Sequence, residues 1–165
     1  MNLLVNNAGV YAFMPLEAIA EDEFHRQVDT NVLGPFLTMR EFAGQPEADN
    51  GSIINVVTAG ISNHPPYTAL YTATKSALSA ATIVAAKELA PRGIRVNAVA
   101  PTASDTEGTR AMGFVGSDAG AQTASQIPLG RLGTPDDIAP LIVFLASGEA
   151  RFITGDVIFA SGGHR

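Results

Sequence analysis

Short, nearly continuous apolar runs alternate along the chain with longer stretches whose apolar positions recur every three or four residues. Four runs, at 3–5, 53–57, 94–99 and 157–160, are bounded by glycine, proline, asparagine or serine and read as strands. Because they are apolar on both faces, they predict a parallel sheet covered on both sides. Between the first two runs, Phe24, Val28, Val32, Phe36 and Met39 form a helical stripe within residues 22–43. Pro35 lies inside that stripe and has no N–H, so the carbonyl of Asn31 loses its helical partner. Residues 68–90 predict a second long helix, rich in alanine and stopped at Pro91-Arg92-Gly93. Residues 102–126, with Gly108, Gly113, Gly116 and Gly120, read as a mobile loop with room for one short helix. Thr134 then predicts an N-cap, Pro135 the first helical position, and Asp136 and Asp137 sit on the positive end of a dipole whose helix runs to about Ser147.

This alternation predicts an α/β fold, a Rossmann-like parallel sheet of about four strands with flanking helices, in a single domain over residues 1–165. A chain of 165 residues that is 46% hydrophobic has the material for one core and one domain. Its formal charge of −6 repels phosphate backbones, so no nucleic-acid partner is expected. Cysteine is absent, which leaves neither disulfides nor thiolate metal ligands, and His25, His64 and His164 have no metal-ligand spacing; no metal is expected. No apolar run has the length of a membrane span, and Met1 leads into Leu3-Leu4-Val5 with no basic segment or cleavage site. The expectation is a cytoplasmic protein without a membrane partner.

Candidate chemistry is concentrated near the middle of the chain. Tyr71 and Lys75 stand one helical turn apart, so they present a phenol and an ammonium on one face. A nearby cation favours phenolate, which predicts a Tyr71 pKa below the usual value and nearer the range of efficient proton transfer. Thr58 falls at the C-terminal end of the second strand, where open α/β sheets place ligands, and its hydroxyl is suited to donate to a carbonyl oxygen. The carbonyl of Asn31 is suited to hold a water near Lys75. The Tyr-Lys spacing by itself arises by chance in roughly 0.04 of chains with this composition. A surface tyrosine lying on a lysine stem is its plain alternative, and a proline that only bends a helix is the alternative for Pro35.

Read together, these residues resemble the short-chain dehydrogenase/reductase family, in its group with an Asn-Ser-Tyr-Lys tetrad. Asn6-Asn7-Ala8-Gly9 resembles the family's NNAG segment, Thr30-Asn31-Val32 the tetrad asparagine, and Tyr71-Thr72-Ala73-Thr74-Lys75 its YxASK motif. Arg95 to Pro101 resembles the approach to the nicotinamide loop, Pro128-Leu129-Gly130-Arg131 with Pro135-Asp136-Asp137-Ile138 the PLGR and PEDI stretch, and Ile153-Thr154-Gly155 with Ser161-Gly162-Gly163 the last strand and its flanks. The resemblance implies an enzyme that transfers a hydride between NAD or NADP and a carbonyl or secondary alcohol. It implies Tyr71 as general acid or base, Lys75, Thr58 and Asn31 as its catalytic partners, and Asn7, Ala8, Gly9, Tyr71, Lys75, Pro101, Ser104 and Thr106 as cofactor-binding residues. Residues 102–126 would close over a small-molecule substrate, and a homodimer or homotetramer would form on the helices carrying Asn31 and Tyr71.

Three departures qualify the resemblance. Thr58 replaces the tetrad serine, retaining the hydroxyl and adding a methyl, with Ser62 as a fallback hydroxyl; Thr102 stands where the family has glycine. The family's first βαβαβ half, with its glycine-rich phosphate loop, would lie before Met1. An N-terminally truncated domain is therefore expected, with an unpaired apolar edge on its first strand and with NAD or NADP binding weakened or lost. That leaves two other readings open. One is a non-catalytic remnant acting as an interaction module; the other is a half-enzyme that needs a partner chain for its cofactor.

Overall fold

In the computed structural model residues 2–165 are described, and the reading of the chain's start at Met1 lies outside them. Four parallel strands, β1 (Leu3–Asn6), β2 (Ser52–Val56), β3 (Arg95–Pro101) and β4 (Val157–Ala160), lie side by side in that order. The register pairs Leu4 with Ile53, Ile53 with Val96 and Val99 with Ile158, so every βα crossover connects neighbouring strands. β1 ends the sheet, and its Leu3, Leu4 and Val5 are only half-buried. The fold is thus the expected partial Rossmann-like sheet.

Side-chain alternation divides the core between two layers. Ile53, Val96 and Ala98 face one side, where they meet Leu78 and Ala86 of α4 (Ala69–Leu89) and Met39 of α2 (Gly34–Ala43). Ile54 and Val99 face the other, where they meet Leu145 of α7 (Pro135–Ala146) together with Ile138, Leu141 and Ile142. Full burial of each such aliphatic side chain contributes about 1.5–3 kcal/mol.

The strands are less purely apolar than their hydropathy implies, because Asn55 and Asn97 are fully buried within them. Each is satisfied. Asn55 accepts from Asn6 Nδ2 at 2.8 Å and donates to Thr82 Oγ1 at 2.9 Å, while Thr38 donates to Asn6 Oδ1 at 2.6 Å. This polar ladder joins β1, β2, α2 and α4, and it fixes their relative positions because each member left unpaired would be costly.

The predicted helix over 22–43 is continuous but not uniform. α1 (Glu21–Val28) passes into a π-helical turn, Asp29–Leu33, and then into α2, with the Gly34 N–H reaching back to the Asp29 carbonyl. Pro35 therefore neither ends nor simply bends the helix; the wide turn takes up the missing N–H.

Residues 102–126 hold two short helices where one was expected: α5 (Glu107–Ala111), capped by Thr106, and α6 (Asp118–Gln126), capped by Ser117. α7 starts as predicted, but its cap works in reverse. The Asp137 carboxylate accepts from both the N–H and the hydroxyl of Thr134, each at 2.8 Å. Among the described residues no helix is long and apolar enough to cross a membrane.

Candidate active site

The C-terminal ends of β1, β2 and β3 deliver Asn7, Ala8 and Gly9, Thr58, and Pro101 to one edge of the sheet. A parallel sheet gathers residues here because every strand runs the same way. α4 begins beside this edge, and its sheet-facing side places Tyr71 and Lys75 against it. The four expected catalytic residues are thus brought together.

Asn31 sits in the π-helical turn, fully buried, and its carboxamide fastens the segment after Gly9. Val10 N–H donates to Oδ1 at 2.9 Å, and Nδ2 donates to the Val10 carbonyl at 2.8 Å and to Thr74 Oγ1 at 3.1 Å. Thr74 in turn donates to the Tyr71 carbonyl at 2.8 Å. The side chain of Asn31 therefore locks β1's exit to α4, in addition to any role of its main-chain carbonyl.

Lys75, 4% exposed, donates from Nζ to the Val56 carbonyl at 2.8 Å, and Nζ lies 5.9 Å from the centre of the Tyr71 ring. The Thr58 hydroxyl lies near enough to the Tyr71 phenol to favour its charged form, and its Oγ1 accepts from the Gly60 N–H at 3.2 Å.

The electrostatics differ from the expectation that Lys75 lowers the Tyr71 pKa. Burial pushes the phenol up to about 12, Tyr11 adds to that rise, and the nearby Thr58 hydroxyl offsets only part of it. Burial likewise lowers Lys75 to about 8. Desolvation outweighs the cation because the ammonium points to the Val56 carbonyl and stands several ångströms from the ring. At neutral pH this arrangement holds a neutral phenol beside an ammonium.

The other expected cofactor residues lie in the segments that follow β1 and β3. Asn7, Ala8 and Gly9 are exposed, and a Cβ on Gly9 would lie 3.2 Å from Lys75 Nζ and 3.3 Å from Asn31 Oδ1. Both contacts are tighter than an ordinary Cβ contact, so glycine here lets the segment after β1 lie close against Lys75 and Asn31. Ser104 bridges to Gly133 and donates to the Thr102 carbonyl at 2.9 Å. Thr106 is engaged as the cap of α5, exchanging hydrogen bonds with Thr109. Thr102 directs its hydroxyl to His164 Nδ1 at 3.0 Å, tying the root of this loop to the tail of the chain. Ser62, the fallback hydroxyl, is exposed on α3 (Gly60–Asn63).

Sequence reasoning passed over Tyr11, Phe13 and Thr74. Tyr11 and Phe13 pack against Tyr71, and the only signal for them was two aromatic residues in an otherwise unpatterned stretch after Gly9. Thr74 is visible only as part of the Tyr-x-x-x-Lys segment.

A family model described as enoyl-(acyl carrier protein) reductase matches residues 1–165. An uncharacterized oxidoreductase of Methylorubrum extorquens is 47% identical over 165 residues, covering 100% of this chain and 66% of that protein. A 3-oxoacyl-[acyl-carrier-protein] reductase of Staphylococcus epidermidis is 39% identical over 164 residues, covering 99% and 66%. Among solved structures, ElxO with NADP bound is 34% identical with a TM-score of 0.90 over 98% of this chain and 66% of that one. The chain belongs to the short-chain dehydrogenase/reductase family. It spans 66% of the length of the curated relatives just named.

Proposed function

We propose that this chain carries the proton-transfer and carbonyl-binding half of an NAD(P)-dependent oxidoreductase acting on a carbonyl or secondary alcohol. The observation that carries this reading is the convergence of the Tyr71 phenol and the Thr58 hydroxyl, with Lys75 on the same helical face, at the C-terminal strand edge. A nicotinamide, when bound, supplies or accepts the hydride. The remaining chemistry belongs to the chain.

In the reducing direction the substrate oxygen sits between the Thr58 hydroxyl and the Tyr71 phenol. As negative charge develops on that oxygen, Thr58 donates a hydrogen bond and Tyr71 gives up its proton. A phenol held at about 12 keeps its proton at neutral pH, which supports the donor role in particular. Lys75, held at about 8 and still an ammonium at neutral pH, would restore the phenol's proton by way of a water and not by direct contact, since its Nζ is bonded to the Val56 carbonyl. Asn31 supports the site by holding Val10 and Thr74, and its main-chain carbonyl is suited to anchor a water near Lys75. Gly9, Asn7, Ala8, Pro101, Ser104 and Thr106 would line the cofactor, and Lys75 would reach its ribose.

The test is titration of NADH and NADPH followed by their fluorescence, then turnover with a panel of carbonyl compounds. Tyr71→Phe is expected to abolish turnover and leave cofactor affinity within about twofold; full turnover in that variant would refute the role of the phenol. Absence of saturable binding would sink catalysis by this chain alone. It would favour the second reading, completion by a partner chain, which the half-exposed Leu3, Leu4 and Val5 of edge strand β1 support.

We also infer self-association. A groove of about 530 Å³ between α2 and α4, lined by Phe36, Met39, Ala77, Ala80 and Val84, lies on the outer helical layer. It is mostly apolar, with Arg40 and Glu88 also in its lining, and α4 also carries Tyr71 and Lys75, so a second copy packing there would bury it. A monomer by light scattering at micromolar concentration would overturn this.

A further inference from the structure

Two aromatic side chains stand beside Tyr71 without any part in the proton path. Tyr11 and Phe13 stack nearly parallel, with centroids 5.6 Å apart and planes at 17°. Each also meets the Tyr71 ring close to edge-on, at 5.9 Å with interplanar angles of 68° and 69°. The three rings form a corner with the phenol on one arm.

The segment bearing this corner is fastened on several sides. Val10 is held by Asn31, the Tyr11 carbonyl accepts from Arg26 Nη2 at 3.4 Å, and Met14 N–H donates to the Tyr67 carbonyl at 2.9 Å. Arg26 is committed to Glu23 at 2.7 Å, so its charge is matched where it reaches this wall. Behind Tyr11, a Cβ on Gly108 would fall 2.5 Å from the phenol oxygen, so glycine permits α5 to close up on it. His64 and Tyr67 both have positive φ, 46° and 66°, although neither is glycine. Backbone strain of this kind costs about 1–3 kcal/mol and persists where surrounding structure holds it, commonly around ligand sites. Here it supports the turn that fixes Met14.

Phe13 is nonetheless 50% exposed. The fold has thus built a rigid aromatic wall next to the reacting phenol and left one ring open to water.

We propose that Tyr11 and Phe13 determine specificity and that the substrate is an aryl ketone or the matching alcohol, its flat ring packing on Phe13 while its oxygen meets Tyr71 and Thr58. This rests on the hydride-transfer reading for the position of the oxygen. A flat ring gains aromatic contact energy beyond its buried area, which a puckered ring of the same size does not.

The test compares propiophenone with cyclohexyl ethyl ketone, equal in carbon count, by NMR titration of the chain without cofactor. Propiophenone is expected to bind about three- to tenfold tighter. Phe13→Leu, which keeps apolar surface and removes the ring, should bring the two affinities within about twofold; Tyr11→Leu gives the same comparison if the first variant fails to fold. Tyr71→Phe should retain the preference, because the ring remains. Equal binding of the two ketones, no binding of either, or an undiminished preference in the folded leucine variants would overturn the proposal. Because neither cofactor nor turnover enters the measurement, an inactive chain that prefers the aryl ketone sinks only the catalytic reading, and an active one without the preference sinks only this inference.

Discussion

The Asn31 carboxamide pairs with both backbone groups of Val10, accepting from its N–H at 2.9 Å and donating to its carbonyl at 2.8 Å. It thereby replaces, for Val10, four residues past the end of β1, the pairing that a strand partner would provide. Asn31→Leu keeps the volume and removes both partners, leaving a donor and an acceptor unpaired in a partly buried position. The expected loss is about 2–4 kcal/mol, read as a lower urea midpoint at unchanged slope. A midpoint equal to that of the native chain would show that Val10 finds other partners.

Lys75 makes stability depend on alkaline pH. Its amine is held at about 8 against 10.5 unfolded, so below pH 8 both states are protonated and the native state bears the full penalty of a buried charge. Between pH 8 and 10.5 the unfolded chain binds more protons, and native stability rises. Tyr71, about 12 against 10.0, acts oppositely: between pH 10 and 12 the native chain retains a proton that the unfolded chain sheds, and stability falls. Lys75→Met should erase the rise relative to the native chain, a difference of roughly 2 kcal/mol by pH 10, and leave the later fall. Parallel pH profiles from denaturation at pH 7 to 11 would contradict the burial of the ammonium.

At the other end of the scale, Asp137 is held well below the usual carboxylate range by the Arg131 guanidinium and then by the Thr134 hydroxyl and N–H. A depressed carboxylate contributes stability above its unfolded pKa of 3.8 and loses it as pH falls through the native value. Asp137→Asn should lower the melting temperature slightly at pH 7, with the gap to the native chain closing as the solution is acidified below pH 3.8. A constant gap down to strongly acidic pH would argue that the loss comes from capping geometry and not from charge.

Gly51, at the entry to β2, tests backbone packing. An added Cβ would fall 2.6 Å from the Ala48 carbonyl oxygen, 2.9 Å from that of Asn2 and 2.9 Å from Phe42 Cζ. Two of these are main-chain atoms that cannot rotate away, so Gly51→Ala is expected to cost about 1–3 kcal/mol by chemical denaturation. A neutral result would mean that the strand entry shifts freely.

The helices and strands were legible because their signals are local. The stripe from Phe24 to Met39, the alanine-rich run ending at Pro91 and the four apolar runs each encode an element through periodicity alone. The loop after Pro101 was less legible. α5 and α6 depend on caps, Thr106 with Thr109 and Ser117 with Gly120, which are weak signals among many small polar residues. Thr58, Tyr71 and Lys75 could be placed on one edge from spacing and strand direction, whereas Tyr11 and Phe13 could not, since nothing near them in sequence marks their approach to Tyr71.

The sequence by itself determined the order of strands and helices along the chain, the Tyr71 and Lys75 face and the missing side chain at Gly9, all set by residues within a few turns of one another. Tertiary structure alone decided that Asn31 would hold Val10, that Lys75 would point to Val56 and that Tyr71 would sit in an aromatic corner. It also decided the protonation of the pair. A pKa in a folded chain follows from how much water surrounds the group, and that is fixed only when segments distant in sequence close around it.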